Sequence, residues 1–276
     1  MAAPDLQTWM GRTDWFEDVL RAAPAQFMQA TLDAQPTLRI GDTLPPLWHW
    51  LYFLDAKPLS ELGRDAHPRR GGFLPPVALP RRMWAGGRFE FHTPLSLGKA
   101  VEKRSVIKAI SEKNGRSGPL CFVTVGHEVW QDGTCALSEE QDLVFRDDPD
   151  PNAPQPAPEM APDGAEFSQT LTPSEVMLFR YSALTFNGHR IHYDVDYARQ
   201  VEGYRGLVFH GPLIATLLSG LAEARLGRAL TRFDYRALTP LDSLEPFELQ
   251  GRTDGEGLSL WARRADGAMA MRATAE

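Results

Sequence analysis

Apolar and polar positions alternate most clearly in two groups of segments. Residues 102–114, 120–131 and 134–145 are rich in Val, Ile, Phe and Trp, and they are separated by Asn114-Gly115-Arg116-Ser117-Gly118 and Asp132-Gly133. That spacing predicts consecutive antiparallel hairpins. The pattern returns at 245–254, 258–264 and 269–274, with glycine turns between. The helical period is clearest in the second half. Thr172, Pro173 and Glu175 have the spelling of a capping box, a hydroxyl cap followed by proline and glutamate, and predict a helix to about Leu184. A second helix is predicted from Gly211-Pro212 to Gly227. Leu213, Ile214, Leu217, Leu218 and Leu221 form one face of it, and Ala215, Thr216, Ser219 and Gly220 keep the rest small, so it is expected to be buried.

The two groups echo each other. Arg88-Phe89-Glu90-Phe91 precedes Thr93-Pro94-Leu95, and Arg232-Phe233-Asp234-Tyr235 precedes Thr239-Pro240-Leu241. Between the copies, 147–166 holds six prolines, six acids and no base, a composition that reads as a linker. The expected organisation is an N-terminal domain over 1–146, a linker over 147–166 and a C-terminal domain over 167–276. One buried helix wrapped by a long antiparallel sheet, present twice, is an α+β double hot dog.

Charge changes the picture of partners. The 276 residues carry a formal net charge of −7, which argues against coating nucleic acid or an anionic membrane. Most of that acidity lies in the linker, so the folded body remains compatible with a polyanionic small molecule. The start of the chain carries acids where a signal peptide is apolar, and no apolar run reaches membrane-spanning length, so the expectation is a cytoplasmic protein. Cys121 and Cys135 have neither a zinc spacing nor a disulfide framework.

Residues 181–194, YSALTFNGHRIHYD, followed by 206–218, GLVFHGPLIATLL, resemble the MaoC-like hydratases and dehydratases of acyl thioesters. Residues 47–53 and 72–88 resemble the degenerate first hot dog of the two-domain subgroup. The resemblance implies a hydro-lyase acting on an enoyl thioester of coenzyme A. A methyl-branched unsaturated diacid is the leading substrate, giving a β-methylmalyl product with a citramalyl-type product as the secondary possibility; itaconyl and 3-hydroxyacyl thioesters are alternatives. A hot-dog thioesterase and a non-catalytic acyl-CoA binder remain further alternatives. The family motif begins with aspartate, whereas Asn187 occupies that position here; the motif histidine is matched by His192.

Hydration needs a base for water, a proton for the α-carbon and a donor for the developing thioester oxyanion. His192 suits the acid/base work. Asn187 cannot take a proton but can hold water, although Asn187-Gly188 is also a turn dipeptide. The Gly211 N–H, at the head of the second helix, is the expected oxyanion donor, and the mechanism requires it near His192. Tyr181, Arg190 and His210 are candidates for the substrate pocket. His189, His192 and His210 could alternatively make a metal triad, but their spacing favours none, and the expectation is no metal and no cofactor. The stretch 64–88 has six arginines against the single acid Asp65. Arg81 and Arg82 are the preferred partners for a coenzyme A phosphate or a substrate carboxylate. One chain supplies a complete hot-dog pair, and free sheet edges would permit a homodimer.

Overall fold

The computed structural model describes residues 4–115, 118–150 and 157–276. The first half comprises β1 (Thr13–Val19), α1 (Ala22–Thr31), β2 (Arg81–Phe91), β3 (Ala100–Gly115), β4 (Gly118–Gln131) and β5 (Thr134–Arg146). The second comprises β6 (Phe167–Leu171), α2 (Glu175–Leu184), α3 (Val195–Gln200), α4 (Gly211–Leu226), β7 (Arg232–Ala237), β8 (Phe247–Asp254), β9 (Gly257–Arg263) and β10 (Met269–Ala275). All these strands lie in one sheet, ordered β1-β3-β4-β5-β2-β7-β10-β9-β8-β6. From the centre outward, each half repeats one order: second strand, fifth, fourth, third, first. This is a double hot dog with a shared seam.

The echoed residues are that seam. Phe89 pairs directly with Phe233, Arg88 with Asp234 and Gly87 with Tyr235. Phe89 and Phe233 are fully buried. Glycine is required beside them: a Cβ on Gly86 would stand 2.7 Å from the Tyr235 carbonyl oxygen, and one on Gly87 would stand 2.8 Å from the Tyr235 ring. Phe89→Ala is expected to destabilise the protein by about 3–5 kcal/mol through the cavity it leaves at the join. Urea unfolding checks this, and a change under about 1 kcal/mol would mean the seam repacks.

In the second half, α4 lies on β7, β8, β9 and β10, burying Leu213, Ile214, Leu218 and Ala222. It ends at Gly227, whose φ of 65° requires the left-handed region and whose N–H donates to Glu223 O. The expected second copy of this helix is absent among the described residues. The corresponding stretch, 32–80, carries prolines at 36, 45, 46, 58, 68, 75, 76 and 80, which break helical hydrogen bonding. A single helical turn, Trp48–Leu51, buries Trp48, His49 and Leu51 there instead.

Two further expectations need adjustment. The cap of α2 is Ser174, whose Oγ accepts from Met177 N at 3.1 Å, so the helix starts two residues later than the capping-box spelling implies. The described flanks of the 147–166 segment are pinned to the body: Asp148 pairs with Arg64, Met269 N donates to Glu159 O at 2.8 Å, and Ala161 N donates to Gly267 O at 2.9 Å. Residues 151–156, within the linker, and Arg116 and Ser117, within the first hairpin turn, lie outside the described residues. Among the described residues no helix is long and apolar enough to cross a membrane, and both cysteines are free thiols.

Candidate active site

The motif segment folds back on itself directly after α2. Phe186 adopts φ 49°, Asn187 N donates to Ser182 O at 2.8 Å, and Asn187 Oδ1 accepts from His189 N at 3.0 Å. Asn187 is therefore engaged in closing the turn, the role its dipeptide context allows. The turn delivers Arg190–His192, a single helical turn, against the chain entering α4, where Val208 N donates to Ile191 O at 3.0 Å.

His192 is buried, and its Nδ1–H donates to Val208 O at 2.7 Å. That bond fixes the tautomer and leaves the Nε2 lone pair to accept a proton. Burial, reinforced by the neighbouring His189, pushes the His192 pKa down to about 3, against the pull of the Val208 carbonyl. The ring is neutral at physiological pH. His210 stacks on it with centroids 3.6 Å apart and planes 19° apart, and its Nε2 lies 2.9 Å from Ser182 Oγ. Burial and then the two neighbouring imidazoles hold His210 well below the ordinary histidine range. His210 immediately precedes Gly211, so His192 stands against the head of α4. The Gly211 N–H, in the first turn, has no intrahelical partner, and the space where a Cβ would sit is open.

The other nominated residues separate into engaged and open groups. Tyr181 is buried edge-on against His210, centroids 4.9 Å apart. Arg190 pairs with Asp194 at 2.7 Å, lies over the Tyr197 ring and donates to Arg64 O at 3.2 Å. Arg81 is buried in an ion pair with Glu202 at 2.6 Å and donates to Tyr204 Oη at 2.9 Å. These two arginines hold the protein together at the positions where the sequence offered them to substrate. Arg82 lines a cleft of about 240 Å³ together with Asp65, His67 and Arg70.

Asp65 and His67 were not among the residues nominated from sequence. They come from the N-terminal half, carried to the motif by backbone contacts: Arg190 N donates to Asp65 O at 3.1 Å, and Gly188 leaves only 3.3 Å between a built Cβ and Ala66 O. Asp65 Oδ2 lies 2.9 Å from His67 Nδ1, and Oδ1 accepts from His67 N at 3.1 Å. Burial pushes the Asp65 carboxyl up, but its bonds to His67 and the charge of His189 outweigh this and hold it well below the usual range. Burial and then the Arg82 charge keep His67 well below the ordinary imidazole range, despite Asp65. The pair is thus a carboxylate accepting Nδ1–H from a neutral ring, with Nε2 open. The available clue was that Asp65 is the lone acid in an arginine-rich stretch, two positions before a histidine.

His189 bridges the two sides. Its ring centroid is 4.3 Å from that of His67 and 5.5 Å from that of His192, and its buried Nε2 has no hydrogen-bond partner among the described residues. Four imidazoles, His67, His189, His192 and His210, therefore run inward from the cleft wall. Asp65, His67 and His189 also present ligand atoms within 4.8 Å of one another. The motif triad considered from sequence is replaced by this one as the arrangement with metal-like spacing.

A double hot dog with a neutral, tautomer-fixed histidine at the head of its central helix defines the MaoC-like class of acyl-thioester hydratases and dehydratases. The family description "Hydroxyacyl-thioester dehydratase type 2" matches residues 47–243. The chain is 47% identical to mesaconyl-C(4)-CoA hydratase of Chloroflexus aurantiacus, covering 100% of this chain and 99% of that protein. It is 27% identical to the mitochondrial hydroxyacyl-thioester dehydratase type 2 of Schizosaccharomyces pombe, over 84% of this chain and 88% of that one. The crystal structure of HtdX of Mycobacterium tuberculosis superposes with a TM-score of 0.67 at 20% identity, covering 96% and 99% of the two chains. The chain belongs to the hydroxyacyl-thioester dehydratase type 2 family.

Proposed function

We propose that this protein is a cytoplasmic hydro-lyase that adds water to the double bond of mesaconyl-C4-CoA. The observation that carries the proposal is the 47% identity, over the whole chain, to a relative with that name. The site supplies the chemistry the reaction needs. Water attacks the carbon β to the thioester while His192 Nε2 takes its proton; the Gly211 N–H receives the charge that develops on the thioester oxygen. His192 then returns a proton to the α-carbon. The Asp65–His67 pair, a carboxylate-oriented imidazole on the opposite half, is a second group able to hold water or move a proton, at a cleft joined to His192 by the intervening ring of His189. In the C4 ester the β-carbon carries both the methyl group and the free carboxylate. The product is consequently a tertiary alcohol of the citramalyl type, which replaces the β-methylmalyl product first expected.

The reaction is redox-neutral and water is the co-substrate, so the proposal includes no cofactor. The Asp65, His67 and His189 grouping favours a metal by distance alone; the existing Asp65–His67 bond and the Arg82 cation beside it disfavour a second cation. Treatment with EDTA is expected to leave the rate unchanged. Loss of activity restored by added zinc would reassign these residues as ligands.

The deciding experiment follows the conjugated enoyl absorbance of mesaconyl-C4-CoA and crotonyl-CoA, with product analysis for itaconyl-CoA. The expected result is fastest turnover of mesaconyl-C4-CoA. Turnover confined to crotonyl-CoA would refute the diacid assignment, and release of free coenzyme A without hydration would replace the hydro-lyase by a thioesterase.

A further inference from the structure

Arginines crowd the mouth of the site, but all except one at the cleft have a partner. Arg64 pairs with Asp148. Arg69 Nε donates to Leu62 O at 3.2 Å. Arg70 donates to the carbonyls of Val77 at 2.8 Å and Pro80 at 2.5 Å, and its guanidinium lies over the Phe145 ring. The guanidinium of Arg82, the second residue of β2, makes no hydrogen bond or ion pair with any described residue. It is half-buried all the same, and burial lowers its pKa to about 10, against the favourable charge of Asp65. The carboxylate of Asp65, which could have answered it, is bonded to His67. A guanidinium withdrawn from water without a partner is unfavourable, and a planar carboxylate matches its paired donors.

We propose that Arg82 binds the free carboxylate of a diacid acyl group and so sets the preference of this enzyme for diacid over monoacid thioesters. The proposal rests on the assignment of a diacid substrate. In such a thioester the carboxylate is bonded to the carbon that receives the hydroxyl group. Its cation must therefore stand on the side of the site that His192 faces, and Arg82 shares its cleft with His67, whose ring reaches that of His192 through His189. A coenzyme A phosphate, separated from the acyl carbon by the whole pantetheine arm, would instead be expected at the exposed end of the arginine-rich stretch. Arg81, its neighbour in sequence, is removed from consideration by Glu202.

Binding of two saturated, unreactive esters, succinyl-CoA and butyryl-CoA, to wild type, Arg82→Gln and Arg82→Lys tests the proposal by calorimetry, with melting temperatures recorded for each variant. Wild type is expected to prefer succinyl-CoA. Arg82→Gln is expected to weaken succinyl-CoA about 100-fold and butyryl-CoA at least tenfold less, roughly erasing the preference, because it removes one partner of a desolvated charge pair. Arg82→Lys keeps the charge without the fork and is expected to fall between. Equal losses on both esters, disappearing when pantetheine thioesters replace the CoA esters, would place a phosphate on Arg82 and overturn the proposal. Equal affinity of wild type for both esters would also overturn it. A preference for succinyl-CoA that depends on Arg82, in a protein that does not hydrate mesaconyl-C4-CoA, would uphold the carboxylate site and refute the substrate assignment alone.

Discussion

His192→Ala lowers kcat for hydration by roughly 10²–10⁴-fold, the range for loss of a positioned general base. The expectation follows from geometry first. The Val208 carbonyl holds Nδ1–H at 2.7 Å, so the lone pair on Nε2 is always presented. Burial keeps the ring in its neutral form at any ordinary assay pH, and the same burial lowers its affinity for the proton, so the geometry and not the depressed pKa carries the assignment. The wild-type kcat/KM should accordingly show no inflection at the ordinary imidazole value of 6.5. A structural role predicts something else: removing the ring leaves the Val208 carbonyl without its donor, at a cost of about 1–3 kcal/mol, and activity would fall only as far as the folded fraction does. Circular dichroism at the assay temperature separates the two. A folded His192→Ala protein within about threefold of wild type would remove His192 from the chemistry. Asp65→Asn provides the companion measurement, since it keeps the shape of the partner to His67 while removing its charge.

Acid unfolding is the second large expected effect. His192 and His127 have pKa values pushed down to about 3 and about 4 by burial, and His67 and His210 are also held well below 6.5. In the unfolded chain these rings gain protons near pH 6.5; in the folded protein they gain them only far lower. Between those limits the unfolded state holds more protons, so stability rises with pH and is progressively lost as pH falls. Each fully mismatched histidine contributes about 1.4 kcal/mol per pH unit. Their effects act in the same direction, against a typical total stability of about 5–15 kcal/mol. Urea midpoints measured from about pH 8 to about pH 5 should fall steeply below about pH 6, with an unchanged slope. A midpoint constant across that range would show that these rings are not held neutral. The burial that keeps the proposed catalytic imidazole neutral is thus expected to make the protein sensitive to acid.

Much of this was legible in the chain. Alternation located β3, β4, β5, β8, β9 and β10 to within a few residues, because long hairpins with one buried face carry a strong period. The apolar face of 213–221 announced α4, and the repeated Arg-Phe-acid-aromatic string proved to be the strand pair at the seam. β1 and β6 were not legible: they are short edge strands with exposed polar residues, where pairing rather than burial decides the conformation. The site divided in the same way. His192 and Gly211 lie within one contiguous motif and could be nominated together. Asp65 and His67 reach it from more than a hundred residues away, through backbone contacts that side-chain spacing cannot foreshadow. Arg81 and Arg82 were indistinguishable as adjacent letters; only their three-dimensional neighbours separate an ion-paired arginine from an unpartnered one.

The asymmetry of the two halves has an evolutionary consequence. The first copy has no counterpart of α4 among the described residues, and its proline-broken segment instead forms a wall against the other copy's histidines. On the proposed assignment, the base His192 and the carboxylate-binding Arg82 reside on different copies of the repeated unit. On that assignment, a change at Arg82 alters the acyl group accepted without touching 186–211, which carries His192 and Gly211. Such a division of labour lets one scaffold diversify its substrates while its reaction stays the same.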